Sequence, residues 1–434
     1  MTIEPQLLKL EGVYQQQDGR YMQRVKLAGG IISVEQAELV VALADRFAGG
    51  MLHLTTRGSI ELHGIAGGEL PEVSRQFARV GLTGRGACGG AVRGISCSTT
   101  MGAGYPLVQT LVRKLHQHFT QNPHFEGLPK KFKIGVEAQY EGGRHLIQDV
   151  GLVLVKETDD APRFDVWVAG GLGKEPQPAF LLQQAVPEAE LFPLLEDIVR
   201  LYKEHAPKGR RLKHLIREIG QDGFQTMLER HRAAEASTPL TDAFDKSLTH
   251  PAPPTAMIRL EAAVFAGQLT SDRMRDLIRV AREHADGFMV VTSDQNIAMF
   301  TASLDQASQA SAGLGEAGFT GATLEEQVSF RICPGNHECR MGLAPTRDLA
   351  RKLINAMGPA ARHLSWAISG CHNSCSQPQL ADVGIFPARL VKDDKGHPTP
   401  LFTMLRRTNP DGLGQVTAEA VPFAEVMHRV SELS

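Results

Sequence analysis

The feature that most constrains the fold of this chain is an internal repeat. The segment GIISVEQAELVVALADRFAGGMLHLTTRGSIEL starts at Gly30, and the segment GQLTSDRMRDLIRVAREHADGFMVVTSDQNIAM starts at Gly267. The difference in numbering between the copies, 267 − 30, stays constant without a gap to Leu62 and Met299. Each copy predicts a capped amphipathic helix that ends at a glycine, followed by an apolar strand and a turn. Any two helix–strand units share such features, but an ungapped register of this length predicts two half-domains of common ancestry that pair.

The rest of the chain predicts further strands, helices and one linker. Strands are predicted for KFKIGVEA, DVGLVLV and HLSWAIS. Helices are predicted for PEAELFPLLEDIVRLYKEHA, RRLKHLIREIGQDGFQTMLERH, RDLARKLINAMG and VPFAEVMHRVSEL. The segment STPLTDAFDKSLTHPAPPTA is rich in Pro, Ser and Thr, which is typical of a linker into the second copy.

Size, charge and termini exclude several classes of protein. The 434 residues allow roughly three domains of about 150 residues each, with a core large enough to enclose a big cofactor. A net charge of −2 does not favour nucleic acid or an acidic membrane surface as a partner. The start, MTIEPQLLKLEG, does not predict a signal peptide, and no apolar run is long enough to span a bilayer. We therefore expect a cytoplasmic protein whose cysteines stay reduced.

Four cysteines form two pairs near the C-terminus. Cys333 and Cys339 are spaced C-x5-C, and Cys371 and Cys375 are spaced C-x3-C. In a reducing compartment such pairs indicate a metal site before they indicate disulfides. Zinc is one alternative, although structural zinc sites usually space the first pair more closely. The wider spacing favours an iron–sulfur cluster, and four unrelated buried thiols are the third alternative.

The pattern C-x5-C followed by G-C-x-N-x-C resembles that of the siroheme nitrite and sulfite reductase family. Other motifs occur in the family's order, namely GVYQQQDGRYMQRVKLAGG, HLTTRGSIELHGI, GACGGAVRGISC, LPKKFKIGV and the repeat that ends in SDQNIAMF. The resemblance covers nearly the whole chain and implies an α+β fold. It implies two ferredoxin-like half-domains related by a pseudo-twofold axis, at 11–79 and 250–326. It also implies two mixed α/β domains for siroheme and a 4Fe-4S cluster, at 80–240 and 327–434.

The resemblance assigns the cofactor ligands residue by residue. It implies that Cys333, Cys339, Cys371 and Cys375 hold the 4Fe-4S cluster, that Cys375 also bridges to the siroheme iron, and that Asn373 contacts the cofactors. His372 stands where the family commonly has Pro. Its ring either hydrogen-bonds a cluster sulfur or is an ordinary loop histidine.

Basic residues are the second set that the resemblance implies. Four of them match the family's cage for a small anionic substrate: Arg57, Arg93, Lys131 and Lys133. Four others are candidates for contacts with the carboxylates of siroheme: Arg24, Lys26, Arg211 and Lys213. For the last two, a merely basic helix face is the alternative.

Two of these positions support further inferences from the residues themselves. The counterpart of Arg57 in the second repeat is Asp294, and this change of charge predicts that only the first copy faces the substrate. Lys131 and Lys133 flank Phe132 on a predicted strand, so both ammonium groups lie on one face. Their mutual repulsion lowers their pKa values and favours proton donation.

The resulting functional hypothesis is a six-electron reduction of sulfite to sulfide, with nitrite reduction to ammonia as the alternative. Lys133 favours sulfite, because plant-type nitrite reductases often carry an amide there, whereas GCHNSCSQPQLADVGIF is closer to the nitrite branch. A precorrin-3B synthase-like tetrapyrrole oxygenase and a non-catalytic electron carrier or zinc-stabilised scaffold are more remote alternatives. The chain has no G-x-G-x-x-G strand–helix unit, so electrons are expected from a ferredoxin or a flavoprotein.

Overall fold

The computed structural model describes residues 5–98, 104–156, 162–235 and 258–433. Its strands are β1 Val13–Gln15, β2 Tyr21–Val25, β3 Ile31–Ser33, β4 Met51–Leu54, β5 Ile60–Ile65, β6 Ser96–Cys97, β7 Ile134–Glu137, β8 Val150–Lys156, β9 Arg163–Val168, β10 Phe180–Pro187, β11 Ile258–Ala262, β12 Gln268–Thr270, β13 Phe288–Val291, β14 Ile297–Thr301, β15 Phe330–Ile332, β16 Trp366–Ile368, β17 Val383–Lys392, β18 Pro398–Arg406 and β19 Gln415–Val421. Its α-helices are α1 Pro5–Leu10, α2 Val34–Phe47, α3 Leu70–Arg79, α4 Tyr105–Phe119, α5 Glu188–His205, α6 Leu212–Ile219, α7 Gln221–Glu235, α8 Ser271–His284, α9 Leu304–Glu316, α10 Leu324–Gln327, α11 Thr346–Ala356, α12 Pro359–Arg362 and α13 Phe423–Ser431.

Two predicted features lie outside the described residues, namely the proline-rich linker and the domain boundaries at 240 and 250. Within the described ranges, no helix is both long enough and apolar enough to cross a membrane.

The two copies of the repeat have the same fold, and each contributes one strand to the sheet of the other. Sheet A has the order β1-β2-β5-β4-β12, sheet B has the order β11-β14-β13-β3, and every pairing in them is antiparallel. β12 from the second copy completes sheet A, and β3 from the first copy completes sheet B. The register is symmetric, because Leu269 pairs with Leu52 in sheet A and Ile32 pairs with Met289 in sheet B. The expected α+β fold with two paired half-domains is therefore confirmed.

The structural repeat extends beyond the segment that the sequence aligns. β2 and β11 keep the same offset in numbering as the aligned segments, although YMQRV and IRLEA have little in common. The helix starts also correspond, because the hydroxyls of Ser33 and Thr270 each accept from a backbone N–H three residues on. α2 and α8 pack into one core that both half-domains share. This shared core fixes the two half-domains against each other.

The two remaining units are also copies of one topology. Sheet C has the order β10-β9-β8-β7-β6, and sheet D has the order β15-β16-β17-β18-β19. In each sheet the first three strands along the chain are parallel and the last two are antiparallel additions. One backbone contact recurs, since Lys133 N donates to Asp149 Oδ2 and Ser365 N to Asp382 Oδ2, both at 2.8 Å. This duplication of sheets C and D was not predicted from the sequence.

Local differences from the predicted elements have simple causes. The long predicted helix over RRLKHLIREIGQDGFQTMLERH is two helices, α6 and α7, because Gly220 between them has a φ of 79°. The predicted strand KFKIGVEA begins later than expected, at Ile134, so Lys131 and Lys133 precede β7. Phe132 is nevertheless fully buried and the two lysines are only partly buried, so the expected alternation persists.

Candidate active-site cavity

One large cavity lies where sheet A meets the loops that leave sheets C and D. It encloses about 1630 Å³ when counted out to its open mouth. Its walls contain most of the residues that the sequence singled out: Cys333, Cys339, Cys371, Cys375, Arg24, Arg57, Arg93, Lys131, Lys133 and Asn373. Residues far apart in the sequence thus converge on a space large enough for a macrocyclic cofactor.

The fold explains why the two cysteine pairs meet. Cys333 follows β15 and Cys371 follows β16, and these neighbouring strands are parallel, so both loops leave the same edge of sheet D. Gly370 N donates to Cys333 Sγ at 3.0 Å, which ties the loops together. The loops pack so closely that a Cβ on Gly370 would lie 2.6 Å from the Cα of Gly335. Glycine is therefore required at this contact.

The four thiols line the cavity without converging on one point. All four lie in the described ranges, and each of them is a free cysteine. Among the described residues, no group of three or more His, Cys, Asp or Glu is placed to hold a single metal ion. Burial raises the pKa of Cys339 to about 11 and also raises the pKa of Cys371. Metal binding would therefore release protons from these thiols.

The loop of the second pair is fastened to the first half-domain. Thr56, in the turn between β4 and β5, donates its hydroxyl to the Cys375 carbonyl at 2.8 Å. Gln377 donates its side-chain amide back to the Thr56 carbonyl at 3.4 Å. Asn373 donates to the sulfur of Cys371, which partly offsets the effect of burial on the pKa of that thiol. The turn that carries Arg57 and the loop that carries Cys375 are therefore joined by two hydrogen bonds.

Arg57 extends from this turn into the cavity wall. Its guanidinium donates to Gln148 Oε1 at 3.0 Å, to the Ile134 carbonyl at 3.1 Å and to the Gly94 carbonyl. All three acceptors are neutral, so these bonds do not cancel the positive charge. Burial and the nearby Arg93 lower the pKa of Arg57.

Arg93 is held by the loop that precedes it. Its two terminal nitrogens donate to the Ala87 carbonyl and, at 2.8 Å, to the Gly89 carbonyl. Its Nε has no hydrogen-bond partner among the described residues. Burial lowers the pKa of Arg93. Arg93 therefore presents a positive charge to the cavity while carbonyl groups hold its guanidinium in place.

Lys131 and Lys133 complete a set that we call the cationic cage: Arg57, Arg93, Lys131 and Lys133. Burial lowers the pKa of Lys131 to about 8. Burial, Arg57 and Lys131 together hold the pKa of Lys133 well below its ordinary value. The direction of both shifts is the one expected from the sequence, but burial rather than mutual repulsion is the largest cause. The lowered pKa values make both ammonium groups better proton donors.

Sequence reasoning missed an acidic and imidazole group in the same cavity. Glu61 on β5 pairs across sheet A with Arg24 on one side and His53 on the other. Arg24 Nε donates to Glu61 Oε1 at 2.8 Å, and His63 Nε2 lies 3.1 Å from Glu61 Oε2. His53 is buried, which lowers its pKa to about 3. The alternation of His53, Glu61 and His63 with apolar residues in HLTTRGSIELHG was the signal available in the sequence.

Three predicted cofactor contacts are not among the described residues that line this cavity. Arg211 is bidentate to Asp149, at 3.2 and 2.7 Å, and is only 4% exposed. The Lys213 ammonium donates to three carbonyls of the loop 171–175. Lys26 lines a second cavity instead. The donors of Arg211 and Lys213 are engaged within the protein, and the contact of these three residues with siroheme stays a prediction from the resemblance.

The structure also shows the surroundings of His372 and of Asp294, which the sequence analysis had singled out. His372 Nε2 lies 2.8 Å from the Ala388 carbonyl and its ring packs edge-on to Phe386. These contacts correspond to an ordinary loop histidine. Asp294, the counterpart of Arg57, accepts from Arg144 at 2.6 Å and from Arg331 at 3.2 Å.

The donors present fit siroheme and a 4Fe-4S cluster. Thiols are the usual ligands of such clusters, and here four of them surround a space rather than a point. The cationic cage suits a macrocycle that carries carboxylates and a small anion beside it.

Two family models match most of the chain. The family model "Nitrite/Sulfite reductase ferredoxin-like half domain" matches residues 14–80 and 254–317. The model "Nitrite and sulphite reductase 4Fe-4S domain" matches residues 89–235. Together they cover more than half of the chain, and the four cysteines of the pairs lie outside the matched ranges.

Some of the individual relatives are named sulfite reductases and others are named nitrite reductases. A protein of Mycolicibacterium paratuberculosis named "Sulfite reductase (ferredoxin) 2" is 24% identical over 91% of this chain and 73% of its own length. A "Ferredoxin--nitrite reductase" of Synechococcus elongatus is 27% identical over 86% of this chain and 78% of its own length. The solved structure of the Mycobacterium tuberculosis NirA protein has the same fold, with a TM-score of 0.81, 21% identity and coverage of 98% of this chain and 85% of that chain.

Proposed function

The chain belongs to the nitrite and sulfite reductase family, and from this membership we propose that it reduces sulfite to sulfide with six electrons. The observation that carries the proposal is the convergence of four thiols and the cationic cage on one cavity. Relatives named as sulfite reductases match most of the chain and support the same reading.

We propose siroheme and a 4Fe-4S cluster as the cofactors, in line with the family. Cys333, Cys339, Cys371 and Cys375 would hold the cluster, with Cys375 shared with the siroheme iron. When bound, this pair supplies single-electron storage and an iron at which a small anion is reduced. Arg24, Glu61 and His63 line the same cavity, where Arg24 would hold a carboxylate of siroheme.

The protein's own contribution is to bind the anion and to supply protons. The arginines of the cage remain charged at neutral pH, and they attract an anionic substrate into the cavity. Lys131 and Lys133 have lowered pKa values, so they release protons more readily than free lysines do. Reduction of sulfite consumes several protons, and two donors on one wall meet this need.

Nitrite reduction to ammonia is the second candidate, and a specific observation favours it. Relatives from Synechococcus elongatus and Leptolyngbya laminosa, at 27% and 28% identity, are named as nitrite reductases. Both substrates are small oxyanions, so the same cage admits either. We weight sulfite more, because Lys133 places an ionisable amine, rather than a neutral amide, where the substrate is expected to bind.

We propose a ferredoxin as the electron donor, since the relatives of both names carry that word. The test is anaerobic purification followed by iron, acid-labile sulfide and siroheme analysis, with sulfite and nitrite turnover on reduced ferredoxin and on a chemical reductant. Siroheme absorbance with sulfite turnover is the expected result. A protein that carries zinc or a lone cluster, and turns over neither anion, would contradict the proposal and favour a scaffold or carrier.

A further inference from the structure

One buried glutamine joins three parts of the fold next to the first cysteine loop. Gln295 lies in the turn between β13 and β14 and is 1% exposed. Its Nε2 donates to the Leu54 carbonyl at the end of β4, at 2.8 Å, and to the Ile332 carbonyl at the end of β15, at 3.0 Å. Its Oε1 accepts from the Ile332 backbone N–H at 2.7 Å. A single side-chain amide therefore connects the second half-domain to the first half-domain and to sheet D.

The amide of Gln295 takes the place of a neighbouring strand. β15 is the outermost strand of sheet D, and Cys333 N donates inward to the Ile368 carbonyl on β16 at 3.2 Å. The N–H and C=O of the preceding residue, Ile332, point outward, where no strand pairs with them among the described residues. Buried backbone groups need hydrogen-bond partners. A primary amide offers both donors and an acceptor, so Gln295 satisfies both groups of Ile332.

The other copy of the repeat shows that the turn itself does not require this side chain. The counterpart of Gln295 is Gly58, and both residues have a positive φ, of 66° and 61°. This region of φ is unfavourable for residues other than glycine. Glutamine at this position therefore needs a reason outside the turn, and its hydrogen bonds to the neighbouring units of the fold provide one.

The two copies of the repeat divide the two cysteine loops between them. The turn of the first copy holds the second loop, because Thr56 donates to the Cys375 carbonyl. The turn of the second copy holds the start of the first loop, because Gln295 is bonded to the residue before Cys333. The bonds to Cys333 itself come from its own unit of the fold, for example from Gly370 N to Sγ. Gln295 thus adds a link between Cys333 and the half-domains.

We propose that Gln295 is a positioning residue for Cys333: its amide fixes the end of β15 and thereby the place of the Cys333 thiol in the large cavity, which Gln295 also lines. This inference rests on the proposed function, because it takes Cys333 as a ligand of the 4Fe-4S cluster. Residues that orient metal ligands affect the affinity for the metal and its electronic properties. Removing the amide should therefore loosen the Cys333 loop and change the cluster without abolishing the fold.

Two substitutions of Gln295 test the proposal on the full-length protein, purified anaerobically. Gln295→Met keeps the side-chain length and removes the hydrogen-bonding groups. Gln295→Gly introduces the residue of the other copy, which suits the backbone at this position. Hydrogen exchange of the Ile332 amide, followed by mass spectrometry of peptides that cover β15, should become at least about tenfold faster in both variants, because the bond to Oε1 is lost. The cluster should lose iron to a chelator about tenfold faster, and its electron paramagnetic resonance spectrum in the reduced state should change.

Asn296→Ala is the matched control, because Asn296 lies in the same turn and also holds distant groups. Its Oδ1 accepts from Val264 N at 2.9 Å and its Nδ2 donates to Glu261 at 2.6 Å, and neither partner belongs to sheet D. This variant should lower the free energy of unfolding, as the Gln295 variants do, but it should leave the Ile332 exchange rate and the cluster spectrum unchanged. A merely structural role of Gln295 would give the same result at both positions.

Three results would overturn the proposal. The first is wild-type exchange at Ile332 in both Gln295 variants, and the second is faster exchange with an unchanged cluster, because the amide would then stabilise β15 alone. The third is the same set of changes in Asn296→Ala, which would indicate general destabilisation. A purified protein without a cluster would contradict the proposed function instead. The alkylation rate of the Cys333 thiol then replaces the cluster measurements, and a rate that does not rise in the Gln295 variants overturns the positioning role.

Discussion

Arg57 and Asp294 occupy the same position in the two copies of the repeat, but their side chains meet opposite surroundings. Arg57 donates to neutral acceptors, including Gln148, and leaves its charge in the large cavity. Asp294 is bonded to Arg144 and Arg331. The duplicated turn therefore serves the proposed chemistry in one copy and neutralises buried arginines in the other.

This asymmetry predicts different consequences for the two alanine substitutions. Arg57→Ala removes one cation from the cage and should lower kcat/KM for sulfite by about 30- to 150-fold, which corresponds to about 2–3 kcal/mol of lost charge stabilisation. Asp294→Ala leaves two arginines without their carboxylate and should lower the free energy of unfolding by about 3 kcal/mol. Turnover per folded molecule should change little in the second variant.

The measurements are steady-state kinetics and denaturant unfolding on both variants. Asp294→Asn serves as the matched control, because it keeps the side-chain shape and removes only the charge. Equal losses of kcat/KM in the Arg57 and Asp294 variants, at unchanged stability, would refute the assignment of a single active cavity.

A second prediction concerns Cys375. Cys375→Ser should lower the iron and acid-labile sulfide content of the purified protein and change its visible absorption, because one thiolate ligand is lost. Cys97→Ser is the control, since Cys97 is also a free thiol but lies outside the cavity. A Cys375→Ser protein with full cofactor content and wild-type turnover would remove Cys375 from the ligand set.

The sequence predicted the half-domains and most of the cavity because those features depend on local patterns. The repeat keeps helix caps, glycines and strand lengths in register, and these survive when other residues change. The cysteine loops and the cage could be assigned from motifs, and the structure brings them together. The exchange of β3 and β12 between the two sheets could not be predicted from local patterns, because each of these strands pairs with a strand from the other copy.

What the sequence could not reveal were contacts between distant segments. Arg211 and Lys213 had a plausible basic pattern, but only the fold shows Asp149 and the loop 171–175 in contact with them. The duplication of sheets C and D escaped detection because their loops differ in length, whereas strand order is preserved. Lys26 follows Arg24 by two residues, but β2 ends between them, and of the two only Arg24 lines the first cavity.

Glu61 offers a third prediction, because its carboxylate neutralises a cation at the cavity wall. Glu61→Gln keeps the side-chain shape but removes the carboxylate that balances the Arg24 charge. The added net positive charge should tighten sulfite binding several-fold, while the broken ion pair should lower the free energy of unfolding by about 1–3 kcal/mol. Sulfite KM and denaturant unfolding are compared with those of Glu72→Gln, a partly exposed position on α3 outside the cavity. Weaker sulfite binding in Glu61→Gln would show that the carboxylate itself assists the substrate.

The pKa of Lys131 gives a fourth prediction. Burial lowers this pKa to about 8, so the ammonium form is present below pH 8 and is lost as the pH rises through that value. A reaction that needs this proton should therefore lose kcat/KM above about pH 8. Sulfite itself changes protonation near neutral pH, whereas nitrite does not, so nitrite is the reference substrate for the profile. Lys131→Arg keeps the charge but does not release a proton in this pH range, so it should lower kcat/KM and remove this decline. An unchanged profile in that variant would exclude Lys131 as the titrating group.

The last prediction concerns the choice between sulfite and nitrite, which we assign to Lys133. Sulfite is largely dianionic at mildly alkaline pH and nitrite carries one charge, so each cation in the cage favours sulfite more. At about 4 Å and an effective dielectric of about 20, one additional unit of substrate charge is worth about 4 kcal/mol before desolvation. Desolvation and the lowered pKa of Lys133 remove most of this energy, and a residual of about 1–3 kcal/mol still corresponds to roughly five- to a hundred-fold discrimination.

Lys133→Asn keeps a polar side chain and removes the charge, so it should lower kcat/KM for sulfite much more than for nitrite. Both substrates are measured on both proteins with the same reductant and salt, because screening weakens charge effects. Lys130→Asn is the matched control, since Lys130 neighbours the same segment but does not line the cavity. If the ratio of the two specificity constants is the same in the wild type and in Lys133→Asn, this lysine does not set the choice. The preference for sulfite would then have to arise from the other cations of the cage, Arg57, Arg93 and Lys131.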